Sequence, residues 1–217
     1  MSRTFILADF YAEASTKTTS ELATAAARIG DVTAIVLAPA GKGAAMAATV
    51  NVGPVASVIV VESADFATHG VPAMADALAQ LTTTHSPTAV LIASHAMGKE
   101  IAGRLAIAVD SGVITDAVAV SADVVATQNV FGGATIVHSK VSKGTPIITV
   151  RTNSIAPVQS GGSATRVDVA VEISAVASST KVVNRVSVKK SGRPDLSEAA
   201  IVVSGGRGVG SDEGFAS

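Results

Sequence analysis

Along the first half of the chain, strand-sized apolar runs alternate with amphipathic stretches. Thr4–Ala8, Thr33–Ala38, Ser57–Val61 and Thr88–Ala93 are short, mostly aliphatic segments, as strands buried on both faces would be. Between them the apolar period lengthens. Thr18–Ile29 places Leu22, Ala26 and Ile29 on one helical face, Val71–Leu81 does so with Met74, Leu78 and Leu81, and Lys99–Val109 with Ile101, Leu105 and Ala108. Pro72 falls in a first turn, where its missing N–H costs nothing. Gly41–Thr49 is a weakly helical, small-residue segment. Strand–helix alternation of this kind predicts a three-layer parallel sheet with right-handed crossovers.

The pattern changes after Gly112. Ala117–Val125, Thr135–Val141, Ile147–Arg151, Val167–Ile173 and Val182–Val188 are rich in Val, Ile and Thr, and only turn residues separate them. Strands that follow one another this way usually pair antiparallel, so the first domain is expected to have a β-rich second half. Residues 189–198, KKSGRPDLSE, read as a linker, and a fresh strand is expected at Ala199–Val203. The division is therefore a domain over 1–188, a linker over 189–198, and the start of a second domain over 199–217. So short a stretch cannot bury a core of its own, so the second domain is expected to be truncated.

Composition narrows the class. Hydrophobic residues make up 48% of the chain and aromatics 3%, with no Trp and one Tyr, so the core must be aliphatic. Mean hydropathy is +0.48, yet no apolar run approaches the roughly 20 residues that span a bilayer. Net charge is −1, which leaves no basic footprint for nucleic acid, and the scarcity of aromatics removes a platform for stacking bases. Cysteine is absent, which excludes disulfides, thiolate metal sites and thiol catalysis. Neither membrane insertion nor a secretory leader is expected, and the location read from this is the bacterial cytoplasm.

The strongest candidate for chemistry is the loop Ser204, Gly205, Gly206, Arg207, Gly208, Val209, Gly210, Ser211, placed after the last expected strand. Glycines let backbone N–H groups approach an anionic or planar ligand, and Arg207 adds a fixed charge. The loop is not a P-loop, because Ser211 stands where the lysine would be, and it is not a complete dinucleotide fingerprint. On spacing alone it reads equally as a ligand loop and as a flexible tail.

Residues 193–215, RPDLSEAAIVVSGGRGVGSDEGF, resemble the junction into the FAD-binding domain of electron-transfer flavoprotein α subunits. Ser204–Gly208, Ser211, Glu213 and Phe215 match that pattern, whereas Gly210 and Gly214 depart from it. Upstream, residues 89–118 resemble the family's strand, small-residue loop and helix, with Gly98, Lys99, Arg104, Thr115 and Asp116. Residues 131–151 resemble its glycine hairpin and "TVR" strand, with Gly132, Gly133, Thr149, Val150 and Arg151, and the Glu21–Leu22 helix fits as well. The resemblance implies an electron carrier rather than an enzyme, paired with a β subunit that holds AMP. It implies FAD contacted by Ser204, Gly205, Gly206, Arg207 and Gly208, with Arg207 beside the flavin ring. Electrons would come from flavin dehydrogenases, such as the acyl-CoA dehydrogenases of fatty acid β-oxidation, and leave to a membrane quinone reductase. This stretch alone is not expected to retain FAD. It is expected to expose an apolar patch where the β subunit would sit.

Other residues are read plainly. His69, His85, His95 and His138 lack metal spacing and are expected as loop or surface histidines. Ser94–His95 lacks a nucleophile-elbow pattern, and Gly98–Lys99 is expected as an ordinary helix start. Lys181, Arg185, Lys189, Lys190 and Arg193 are expected as a solvated edge and linker. Asp9 and Asp116 fall at strand ends, where ligands often bind in such folds, and are expected to serve structure or an interface. Competing functions are a stand-alone adenine-nucleotide-binding α/β module and an NAD-linked enzyme, the latter lacking its complete fingerprint.

Overall fold

A computed structural model describes residues 3–50, 52–158, 162–186, 192, 196, 199 and 201–216. The chain divides into two compact units, Met1–Val182 and Val183–Ser217.

The first unit opens with β1 (Arg3–Leu7), a small hairpin of β2 (Phe10–Tyr11) and β3 (Ala14–Ser15), and α1 (Lys17–Ala26). There follow β4 (Asp31–Ala38), α2 (Gly43–Ala48), β5 (Val55–Glu62), α3 (Asp65–Thr68), α4 (Val71–His85), β6 (Ala89–Ala93) and α5 (Ala96–Ala108). The second half holds β7 (Val113–Val120), β8 (Ala126–Val130), β9 (Thr135–Ser139), β10 (Ile147–Val150) and β11 (Thr165–Asp168).

These strands form a nine-stranded sheet in the order β11-β5-β4-β1-β6-β10-β7-β8-β9. From β11 to β7 every pairing is parallel; β8 and β9 extend that edge as antiparallel strands. Two aliphatic cores flank the sheet. One packs Leu22, Ala26, Met46 and Ala47 of α1 and α2 against Ile6, Val36, Leu91 and Ile148. The other packs Phe66, Leu78, Leu81, Ile101 and Leu105 of α3, α4 and α5 against Phe5, Ile35, Ile92 and Ile147. Successive strand residues serve opposite cores, as the pleat requires. The expected three-layer α/β architecture is present.

The β-rich second half differs from its expectation in several places: the strand expected over Ala117–Val125 breaks after Val120, with β7 starting earlier at Val113 and a separate β8 beginning at Ala126. Antiparallel pairing holds only for β7–β8–β9. The strand expected at Ile147–Arg151 does not continue that meander: β10 inserts in parallel between β6 and β7. It is buried throughout, and a buried strand needs a partner on each side to satisfy its backbone. Expected Val167–Ile173 is also split. Thr165–Asp168 pairs in parallel with β5, while Val169, Val171 and Ile173 pack on the second core as an irregular strap. Asp76 fixes that strap by accepting from Ser174 N at 3.0 Å and Ser174 Oγ at 2.9 Å, and Gln80 Nε2 donates to Glu172 O at 2.7 Å. Of expected Val182–Val188, residues 182–186 form no strand, and the rest lies outside the described residues.

In the second unit, Ile201–Val203 form no strand and are exposed. A strand exists through its ladder, and among the described residues none runs alongside these. Most of the expected linker 189–198 lies outside the described residues. A 3₁₀ turn at Arg207–Val209 and α6 (Asp212–Ala216) follow.

Candidate functional site: a glycine loop and a strand-end network

Ser204, Gly205, Gly206, Arg207 and Gly208 are contiguous and exposed. Local hydrogen bonds shape the loop: Val209 N donates to Gly206 O at 3.0 Å, Gly210 N to Arg207 O at 3.3 Å and Ser211 N to Val209 O at 3.0 Å. Ser211 Oγ then accepts from Gly214 N at 3.3 Å, as an N-cap would. The same serine bonds the Glu213 carboxyl, which with a further bond to its own backbone amide holds that exposed group below its ordinary range. Among the described residues the Arg207 guanidinium pairs with no carboxylate. Side chains placed at Gly206 or Gly208 would meet open space. A flat ring can therefore approach this backbone closely beside an uncompensated positive charge. That donor set fits a flavin, whose ring gains negative charge on reduction.

A second constellation lies in the first unit at the carboxyl ends of β1, β6 and β10, beside the middle of β7. The chain order reverses there, since β4 lies on one side of β1 and β6 on the other. Asp9 follows β1 and His95 follows β6. His95 Nε2 lies 2.9 Å from Asp9 Oδ1, and His95 Nδ1 accepts from Gly98 N at 3.1 Å. A ring nitrogen that accepts an amide proton carries none, so the proton is assigned to Nε2, which donates to Asp9. His95 is thus both the N-cap of α5 and the tie between β1 and β6. Thr16 Oγ1 donates to Asp9 Oδ2 at 2.7 Å, and the Asp9 amide donates to Thr19 Oγ1 at 2.9 Å. Burial pushes the Asp9 carboxyl up, but hydrogen bonds from His95 and Thr16, with any charge on His95, bring it below its ordinary value of 3.8.

Asp116 adopts a left-handed backbone, φ 58°, where the β7–β10 register shifts. Its amide turns to the Thr149 hydroxyl at 3.1 Å and the Ser94 hydroxyl at 3.3 Å. Its carboxylate accepts from Ser94 Oγ at 2.8 Å and pairs with Lys99 Nζ at 2.8 Å. Here too burial raises the carboxyl, and Lys99, Ser94 and the charge of Arg151 bring it net below 3.8. With the Ser94 proton on Asp116 and both His95 nitrogens engaged, Ser94–His95 is not a nucleophile–base pair. The loop after β10 is anchored from below. Buried Glu21 accepts from Asn153 N at 2.9 Å, Lys17 Nζ donates to Asn153 Oδ1 at 3.0 Å, and Thr24 Oγ1 accepts from Val158 N at 2.9 Å.

The structure corrects one histidine reading and refines another. His95 is a half-buried structural link, and His69 Nδ1 meets Thr180 O at 2.5 Å, tying down the strap. Gly98–Lys99 does lie at a helix start, but α5 begins at Ala96 because His95 caps it. Sequence reasoning singled out Asp9 and Asp116 and left Thr16, Ser94 and His95 without a shared role. Asp9, Ser94 and His95 lie just beyond the carboxyl ends of β1 and β6 and Thr16 follows β3, whereas Asp116, expected at a strand end, lies inside β7 at its register shift. Lys189, Lys190 and Arg193 of the basic run lie outside the described residues, whereas Lys181 and Arg185 are exposed. Among the described residues no three His, Asp or Glu side chains gather as metal ligands, and no helix is long and apolar enough to cross a membrane.

Comparison with known proteins draws these features together. Residues 4–186 match the model of the electron transfer flavoprotein domain. Over 215 residues the chain is 37% identical to the electron transfer flavoprotein subunit alpha of Mycobacterium leprae, covering 99% of this chain and 67% of that protein. The same-named protein of Mycobacterium tuberculosis is 36% identical over 215 residues, with the same coverage. That of Bacillus subtilis is 35% identical over 135 residues, which is 60% of this chain and 41% of the relative. The chain thus spans about two thirds of the length of the mycobacterial proteins. With the α/β architecture and the glycine–arginine loop in place, the family match is decisive: this chain belongs to the electron transfer flavoprotein family.

Proposed function

We propose that the chain serves as the α-type subunit of a heterodimeric electron transfer flavoprotein, with FAD bound beside Arg207. The observation that carries this reading is the uncompensated Arg207 guanidinium between Gly206 and Gly208, in a chain similar over 99% of its length to proteins named subunit alpha. Bound FAD would supply one-electron chemistry. Ser204 and the backbone of Gly205, Gly206 and Gly208 would line its approach. Arg207 would hold a positive charge where the ring gains electrons, favouring its reduction. The division 1–188, 189–198 and 199–217 belongs to this reading, with the first part facing a β-type partner that carries AMP. Exposed apolar side chains on the β8–β9 hairpin, Phe131 and Ile136, support such a docking face. Electrons would pass from flavin dehydrogenases, such as those acting on acyl-CoA in fatty acid β-oxidation, to a membrane quinone reductase, with the carrier in the cytoplasm.

The strand-end network does not favour the stand-alone nucleotide reading. Its two carboxylates and their donors satisfy one another and offer little to a phosphate. Spectroelectrochemistry of the complete gene product with its β-type partner tests the proposal. Arg207→Ala is expected to lower the first one-electron potential of the bound flavin. An unchanged potential, or a colourless heterodimer before substitution, would overturn the reading.

A further inference from the structure

The loop's glycines are of two kinds. Gly206, Gly208 and Gly210 look onto open space, whereas Gly205 and Gly214 do not. A side-chain carbon at 205 would sit 2.6 Å from Phe215 Cδ2, 2.7 Å from its Cε2 and 3.0 Å from Val209 Cγ2. One at 214 would run into the Val209 carbonyl oxygen. The loop therefore has an inner side closed by Phe215 and Val209, and an outer side bearing Gly206, Arg207 and Gly208. Phe215 N reaches back to Ser211 O at 3.3 Å, which closes the first turn of α6 and points the chain back over Gly205.

We infer that Phe215 is a positioning residue for Arg207: its ring fills the space over Gly205 and clasps Ser204–Gly208 in the shape that presents the guanidinium outward. The loop needs such a clasp because glycine-rich backbone has the most freedom to lose on ordering. A ring laid on Gly205 removes part of that freedom before any ligand arrives, which is the preorganisation that binding otherwise has to provide. The role of Arg207 toward flavin rests on the proposed function. The clasp does not.

Two measurements on the flavin-loaded heterodimer of the complete gene product separate these claims. Amide hydrogen exchange over Gly205–Ser211 reads the clasp. It is expected to quicken about tenfold in Phe215→Ala and in Gly205→Ala, and to stay near wild type in Phe215→Tyr. The double variant Gly205→Ala/Phe215→Ala is expected to exchange no faster than Phe215→Ala alone, because without the ring the added methyl meets only the end of the Val209 side chain, which can give way. The flavin's first one-electron potential reads the consequence. Phe215→Ala is expected to shift it in the direction of Arg207→Ala, and to shift it no further once Arg207 is already gone. Unchanged exchange in Phe215→Ala, or additive effects in the double variant, would overturn the clasp. A potential that moves with Arg207→Ala but not with Phe215→Ala would overturn the positioning role. A potential indifferent to Arg207→Ala would overturn the flavin reading, while exchange still decides the clasp.

Discussion

The strand-end network and the glycine loop hold polar groups in opposite ways. In the network the partners come from distant parts of the chain: His95 reaches Asp9 across 86 positions, and Glu21 reaches the Asn153 amide across 132. Each carboxylate there is balanced by donors and rests on a buried sheet. In the loop the bonds among the described residues are local, and there the Arg207 guanidinium pairs with no carboxylate. The difference teaches where charge can be put to use. A group already satisfied by its own fold supports shape, while an unsatisfied one on an exposed loop is available to a ligand.

If the comparison holds, substitutions in the network should cost stability and those in the loop should not. The largest effect is expected from Gly98→Ala. A methyl there runs into the Ala93 carbonyl, a backbone atom that cannot swing aside, and about 3 kcal/mol of unfolding free energy should be lost in urea titration. Next comes Glu21→Ala, which removes the buried carboxylate that accepts from the Asn153 amide. A loss of roughly 2 kcal/mol is expected, with faster amide exchange at Asn153. If neither substitution lowers the midpoint, the network is not the rigid partner in the comparison.

Smaller still is the acid response of Asp9. Its folded carboxyl titrates below its ordinary value of 3.8. The stabilisation is therefore fully present above the unfolded carboxylate range, near pH 4, and is lost as pH falls through the lower folded value. Asp9→Asn should lower stability at pH 7 by about 1 kcal/mol and flatten the fall between pH 5 and pH 2, measured as urea midpoints. Asp116 has the same sign, but its exposure to solvent weakens its share. The smallest effect is reserved for the loop. Gly205→Ala should leave the main unfolding midpoint within about 0.5 kcal/mol of wild type. A fall as large as that for Gly98→Ala would erase the distinction between the two regions.

The helices show how much was legible. Val71, Pro72 and the Met74–Leu78–Leu81 stripe marked α4, which extends to His85 because Thr82 is buried and its hydroxyl bonds back to Leu78 O at 2.7 Å. The Lys99–Val109 stripe found α5 but not its start, since the cap is a histidine whose role depends on Gly98 and Asp9 together. In the loop, Ser204–Gly208 stood out by composition, yet Phe215 was only one matching letter until its ring was seen over Gly205.

Periodicity and composition by themselves determined an aliphatic α/β sheet with helices on both faces, because burial on one face or two is written in residues a few places apart. They also singled out the glycine–arginine string, although its spacing alone left a ligand loop and a flexible tail equally open. Tertiary structure alone decided that β10 slips between β6 and β7, that β11 returns to pair with β5, and that Asp9, His95, Ser94 and Asp116 meet at one end of the sheet. Strand order depends on which buried backbone groups find partners across the whole sheet. A local pattern carries no record of that choice.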